Sequence, residues 1–153
     1  MNAVEIAING ARVLSAADVG GHLQLLDRAL EEMRQGRGNW GAWCALADAS
    51  NMAESFSAMG IGSGTDADTA IKAASCAMAA IHERQSAGMS WTLYPGEIDS
   101  LHWLVRLHRL QLQSCSYREF ATAFDRTVAR VRGAVAGNAT AGAVVLVGSL
   151  CDG

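Results

Sequence analysis

The sequence predicts a single, mainly α-helical domain over residues 1–153, built as a bundle of five helices with a small N-terminal β-hairpin. Three observations lead to this fold class. The length of 153 residues is typical of one domain. A content of 50% hydrophobic residues with one proline excludes a disordered chain. Apolar residues recur at helical spacing in five successive segments, most of them preceded by a helix-capping residue.

The first element, residues 4–14, is predicted to be the β-hairpin. Apolar residues alternate along its first strand, and Asn9-Gly10 suits a type I′ turn because both residues tolerate positive φ. The second strand ends near Val13, on the apolar face that other elements must cover. The apolar tail, 139–153, contains the strand-like run 143–147, which is a possible C-terminal strand.

The helical bundle is predicted to span 16–134. Its first helix, 16–35, begins after Ser15, and its second helix, 40–59, begins after Asn39, because Ser and Asn are good N-caps. The buried stripes are expected to contain Val19, Leu23, Leu26, Leu30 and Met33 in the first helix, and Trp43, Leu46, Ala47, Ser50, Ala53 and Phe56 in the second.

A glycine-rich loop, 60–64, leads to the third helix, 66–84, which is expected to begin with a capping box of Thr65 and Asp68. The expected buried residues are Ala70, Ile71, Ala74, Met78 and Ile81. A glycine-rich loop before a helix can hold a phosphate. A helix precedes this loop where a dinucleotide-binding fold has a strand, and no P-loop lysine follows it, so we interpret it as an interhelical turn.

The fourth helix, 95–113, begins at Pro95, and the fifth, 117–134, begins with a capping box of Ser116 and Glu119. The fourth helix is expected to bury Ile98, Leu101, Val105 and Leu112, and the fifth Phe120, Phe124, Val128 and Val131.

The fourth helix carries a second apolar face, formed by Trp103, Leu107 and Leu110. A helix that is apolar on most of its circumference is either central in the fold or buried in an interface. Tryptophan is also enriched at the energetic centres of interfaces. We therefore predict that these three residues form the interface of a homo-oligomer, most simply a two-fold homodimer. The alternative is that this helix is central.

His108 falls at the edge of the buried stripe of the fourth helix, and we expect it to be a buried, hydrogen-bonded structural residue. The alternative is a small enzyme with His108 as a base in a helical pocket, but no nucleophile lies at a recognisable spacing. His102 is six residues away and cannot share a metal ion with it on one helix. The cysteines fit no zinc-binding spacing. No catalytic, cofactor-binding or metal-binding residue is therefore assigned, and no cofactor is expected.

The net charge of -3 disfavours nucleic acid as a partner, because phosphate binding needs clustered excess cations. A DNA-binding regulator that uses the fourth and fifth helices remains an alternative, and its phosphate contacts would be Arg118, Arg126, Arg130 and Arg132. No apolar run approaches the roughly 20 residues of a membrane span, so no membrane association is expected. No basic segment precedes an apolar stretch at the N-terminus, which predicts a cytoplasmic protein.

A scattered pattern resembles small uncharacterised helical proteins of bacteriophages and mobile elements of proteobacteria. Its residues are Gly88, Trp91, Leu93, Glu97, Leu107-His108, Gln111-Leu112 and Glu119. The Asn9-Gly10 hairpin before a leucine-rich helix adds to the likeness, which covers residues 4–33 and 88–124. The resemblance implies a phage accessory protein and carries over no functional residue. We expect a non-catalytic protein-binding module that self-associates, with a host protein complex, for example a bacterial defence system, as the other possible target.

Overall fold

The computed structural model describes residues 12–136, which form five α-helices. In chain order these are α1 Ala16–Arg34, α2 Trp40–Ala58, α3 Thr65–Ser86, α4 Pro95–Ser114 and α5 Tyr117–Val135. Each begins and ends within two residues of its expected position. The mainly α-helical fold is thus confirmed, and residues 12–136 contain no β-strand.

The central helix of the bundle is α2, which packs against each of the other four helices. Its buried side is rich in alanine and serine, including Ala47, Ser50 and Ala53, and small side chains allow neighbouring helices to approach closely. The helix α4 packs against α1, α2 and α3. By this measure α2, with four neighbouring helices, is more central than α4, with three.

The predicted stripe of α1 is fully buried, as are Leu46 and Phe56 of α2 and Met78 of α3. The indole nitrogen of Trp43 donates a hydrogen bond to the carbonyl of Met78 at 3.1 Å, which joins α2 to α3. Ser50 is buried as expected, and its hydroxyl lies 3.2 Å from that of Ser75, a second link between these helices.

The buried face of α5 differs from the prediction. Phe124 is 41% exposed, whereas Ala123 and Thr127 are completely buried beside Val131. The Thr127 hydroxyl lies 2.7 Å from the hydroxyl of Ser55 on α2. Because this pair requires close approach of the two backbones, small residues face α2 and the large ring of Phe124 remains exposed.

Three of the predicted caps are present. The side chains of Ser15 and Asn39 accept hydrogen bonds from the amides of Asp18 and Ala42, and Ser116 and Glu119 form a reciprocal capping box. The capping box expected for the third helix, with Thr65 as the cap, is wrong. There the N-cap is Gly64, Thr65 is the first helical residue, and the Asp68 carboxylate accepts a hydrogen bond from Ser57.

Most of the predicted hairpin, including its turn at Asn9-Gly10, lies outside the described residues, and so does the tail 139–153. Within the described chain, Val13 forms an isolated antiparallel bridge with Ser116 at the junction of α4 and α5. The amide of Tyr117 donates to the carbonyl of Arg12 at 2.8 Å. Val13 is 63% exposed, so it does not lie on a covered apolar face as expected.

Candidate functional site

The outer face of α4, defined by Trp103, Leu107 and Leu110, is the second apolar face that the sequence predicted for this helix. Trp103 and Leu110 are each 59% exposed, and Leu107 is half-buried. The inner side of the same helix is buried and includes Leu101, Leu104, Val105 and Leu112. Positions 103, 107 and 110 share one side of a helix, so two anchors of the same stripe face solvent together.

A groove of about 450 Å³ lies between α3 and α4, next to Trp103. We call it the α3–α4 groove; its lining residues are Asp66, Thr69, Ala70, Ala73, Asp99, Ser100 and Trp103. Beside the indole ring of Trp103, the groove is lined by the small side chains of alanine, serine and threonine residues. Ala70, expected in the core, is half-buried because it faces this groove. Exposed large side chains therefore lie next to an indentation of small ones.

Charged residues surround the outer face of α4 in a definite order. Asp99 lies towards the N-terminal end of the face, and Arg106 and Arg109 lie towards the C-terminal end. The guanidinium carbon of Arg106 is 5.1 Å from the centre of the Trp103 ring, within the range of a cation–π contact. Arg109 lies 3.6 Å from the carboxylate of Asp27 on α1. An aromatic centre with a charged rim is the usual anatomy of a protein–protein interface.

His108 lies on the opposite side of α4, and it is completely buried. Its Nε2 atom is 3.3 Å from Nε2 of His22 on α1, and its Nδ1 atom is 3.5 Å from Oε1 of Gln111. The Gln111 amide nitrogen donates to the carbonyls of Ala53 at 3.0 Å and Ile61 at 3.2 Å. His22 is exposed on α1, whereas His108 and Gln111 are completely buried; we call the three residues together the buried polar chain.

The hydrogen bonds assign the tautomers of the two histidines. Because the Gln111 amide nitrogen points to carbonyls, its Oε1 accepts from Nδ1–H of His108. The Nε2 atom of His108 then has a lone pair, which accepts the Nε2–H of His22. His108 is therefore neutral, and the chain of donors runs from the surface of α1 to the end of α2.

The electrostatics of the two rings agree with this arrangement. Burial lowers the pKa of His108 to about 3, the neighbouring His22 acts in the same direction, and Gln111 opposes them. Partial burial also lowers the pKa of His22, against the effect of the Asp48 carboxylate. A base of such low pKa accepts a proton weakly at neutral pH, and His108 has no exposed surface.

The glycine-rich loop contributes to the same buried polar chain. A Cβ atom on Gly62 would lie 2.7 Å from Cγ of Gln111, and its φ of +53° is one that other residues rarely adopt. Gly60, at φ +80°, closes α2, and the amide of Ile61 donates back to the carbonyl of Phe56. The loop thus serves as an interhelical turn that packs on Gln111.

The remaining candidates are dispersed. His102 is exposed in a second groove, between α1 and α4, and Cys115 is buried, whereas Cys76 is exposed. No group of three metal-ligating side chains occurs in the part of the chain that the structure describes. Among the arginines considered for DNA contacts, Arg130 is directed towards α2, where it donates to the carbonyl of Asn51 at 2.7 Å.

Sequence reasoning missed His22 and Gln111 as partners of His108. Gln111 follows His108 by three residues on an apolar stripe, which is a local signal of a buried polar residue. His22 is 86 positions away from His108, and only the packing of α1 on α4 brings them together.

Comparison with family models, with curated proteins and with solved structures finds no match to this chain. Within residues 12–136, no helix has both the length and the apolar character needed to cross a membrane.

Proposed function

We propose that this chain is a non-catalytic protein-binding module whose contact surface is the outer face of α4. The observation that carries the proposal is the exposure of Trp103 and Leu110 on one stripe of a helix. Burying a large apolar side chain contributes about 1.5–3 kcal/mol, so two such anchors supply part of the free energy of binding, and the rim and the adjoining groove must supply the rest.

The surroundings of the stripe support the same proposal. Helices that bind proteins commonly do so through large side chains at i, i+4 and i+7, the spacing of Trp103, Leu107 and Leu110. The α3–α4 groove gives a partner side chain a place to insert beside Trp103. The charged rim, which includes Asp99 and Arg106, provides orientation.

Two observations favour protein binding over the alternative functions. The complete burial and low pKa of His108 favour a structural role over base catalysis. Arg130, one of the four arginines considered for a DNA-binding surface, instead donates a hydrogen bond to α2. The first partner we propose is another copy of the chain, in the cytoplasm. The resemblance to phage and mobile-element proteins adds a host protein complex as the other candidate.

Site-specific cross-linking tests the proposal. A photoreactive amino acid replaces Trp103 in the full chain, and the matched control carries it in place of Arg126, which is exposed on α5. Irradiation of the purified protein, and of cells that naturally make it, should give a discrete protein adduct from position 103 and none from position 126. Adding Leu110→Glu should abolish the adduct. Absence of any adduct from position 103 that depends on Leu110 would refute the proposal.

A further inference from the structure

We infer that the partner of the outer face of α4 is a second copy of this chain, with the two α4 helices antiparallel about a two-fold axis near Trp103. This inference rests on the proposed self-association, and it adds the antiparallel arrangement and the pairing of residues. It follows from the order of charges along one line of α4.

Asp99 and Arg106 are seven residues apart, nearly two helical turns, so they lie on the same side of the outer face of α4 about 10 Å apart. Both are exposed, and within the described residues neither forms an ion pair. Trp103 lies close to the midpoint between them. Along this stripe of α4, an acidic, an aromatic and a basic residue therefore follow one another.

A two-fold axis perpendicular to α4 at this midpoint places the stripe of one copy against the same stripe of the second copy, with opposite charges facing each other. The rotation places Asp99 of each copy opposite Arg106 of the other, so one contact forms two identical ion pairs. A parallel arrangement would instead place Asp99 level with Asp99 and Arg106 level with Arg106, on opposite sides of the contact, so neither residue would face an opposite charge. The order of charges thus selects the antiparallel arrangement.

The apolar residues fit the same operation. Leu107 lies on the other side of the stripe from Asp99, and the rotation brings it against the small residues Gly96 and Ser100 of the second copy. The Trp103 rings meet near the axis, beside the small side chains of the α3–α4 groove. Leu107 therefore opposes small residues of the second copy, and the two Trp103 rings pack against each other at the axis.

Charge reversal tests the pairing directly. Asp99→Arg places two arginines opposite each other in a homodimer, and Arg106→Asp places two aspartates opposite each other. Each single variant should weaken self-association roughly tenfold or more, because like charges meet at both ends of the contact. An equimolar mixture of the two variants restores opposite charges in both pairs, so it should form a heterodimer with a Kd within about threefold of the wild-type value.

Sedimentation equilibrium of the full chain, up to about 100 µM, measures these constants, since a dimer of micromolar Kd is nearly complete there. The matched controls are Asp125→Arg and Arg126→Asp on α5, which should leave self-association unchanged. Circular dichroism verifies that each variant is folded. The double variant Asp99→Arg with Arg106→Asp is a second measurement that should restore the homodimer.

Three results would overturn the inference. A wild-type chain that stays monomeric at this concentration excludes the second copy as the partner, and the cross-link from position 103 then reports separately whether another protein binds. A dimer that both single variants leave intact has its interface elsewhere. Folded single variants that fail to associate when mixed exclude the antiparallel pairing.

Discussion

Lowering the pH from 7.5 to 5 should destabilise the fold through His108. Its pKa is about 3 in the folded chain because of burial, against an ordinary value of 6.5 in the unfolded chain. The unfolded state therefore binds more protons below pH 6.5. The stability that neutral His108 contributes is fully present above pH 6.5 and is lost progressively as the pH falls towards 3.

The linkage relation gives the size of the effect. With the two pKa values of His108, the free energy of unfolding should fall by about 2 kcal/mol at pH 5 relative to pH 7.5. His22 acts in the same direction, because its pKa is also lowered. The carboxylates with lowered pKa, Asp18, Glu31 and Glu97, have ordinary values of 3.8 to 4.5, so their main contribution is lost below this window.

Urea unfolding followed by circular dichroism, at several values between pH 7.5 and 5, measures the effect. The His108→Asn variant, which does not titrate, should be less stable at pH 7.5 by about 1–3 kcal/mol and should lose most of the pH dependence. The matched control is His102→Asn on the exposed side of α4, which should retain the wild-type dependence. A wild-type free energy of unfolding that is equal at pH 7.5 and 5, or an undiminished slope in His108→Asn, would refute the reasoning.

Three further substitutions test the packing by urea unfolding. Gly62→Val should cost about 2 kcal/mol or more, because of its positive φ and the contact with the side chain beneath it, whereas Gly96→Ala, in open space on α4, should change stability by less than about 1 kcal/mol. Thr127→Val should cost about 1–2 kcal/mol by leaving the Ser55 hydroxyl without its 2.7 Å partner, and adding Ser55→Ala should recover part of the loss. Glu97→Gln should cost about 2 kcal/mol, because it breaks a largely buried 2.6 Å ion pair with an arginine of α3.

The helices were predictable because their signals are local. Ser116 and Glu119 form a cap within four residues, which predicts the start of a helix. Leu23, Leu26 and Leu30 recur within three turns, which predicts a buried helix face. The prediction for α5 was wrong for Phe124. The amphipathic pattern shows that one side of the helix is apolar, but it does not show that Thr127 rather than Phe124 faces α2.

The candidate site was predictable only as a set of residues. The sequence shows that α4 has two apolar faces, and it names Trp103, Leu107 and Leu110 as one of them. Which face turns inward depends on contacts with α1, α2 and α3, and the α3–α4 groove depends on where Ala73 meets α4. The structure leaves Trp103 and Leu110 at the surface, and the interface itself stays a prediction.

The attachment of α5 has a consequence for how the molecule opens. Among the described helices, α5 packs extensively on α2 alone. Polar contacts make up part of that interface, among them the buried Ser55–Thr127 pair and the partly buried Arg130–Asn51 pair. Water can replace such contacts when the interface separates, whereas nothing replaces the apolar contacts among α1 to α4. We therefore expect α5 to unfold as a separate cooperative unit. Its backbone amides should exchange with deuterium at a lower free energy of opening than those of α2, whose release requires the whole bundle to unfold.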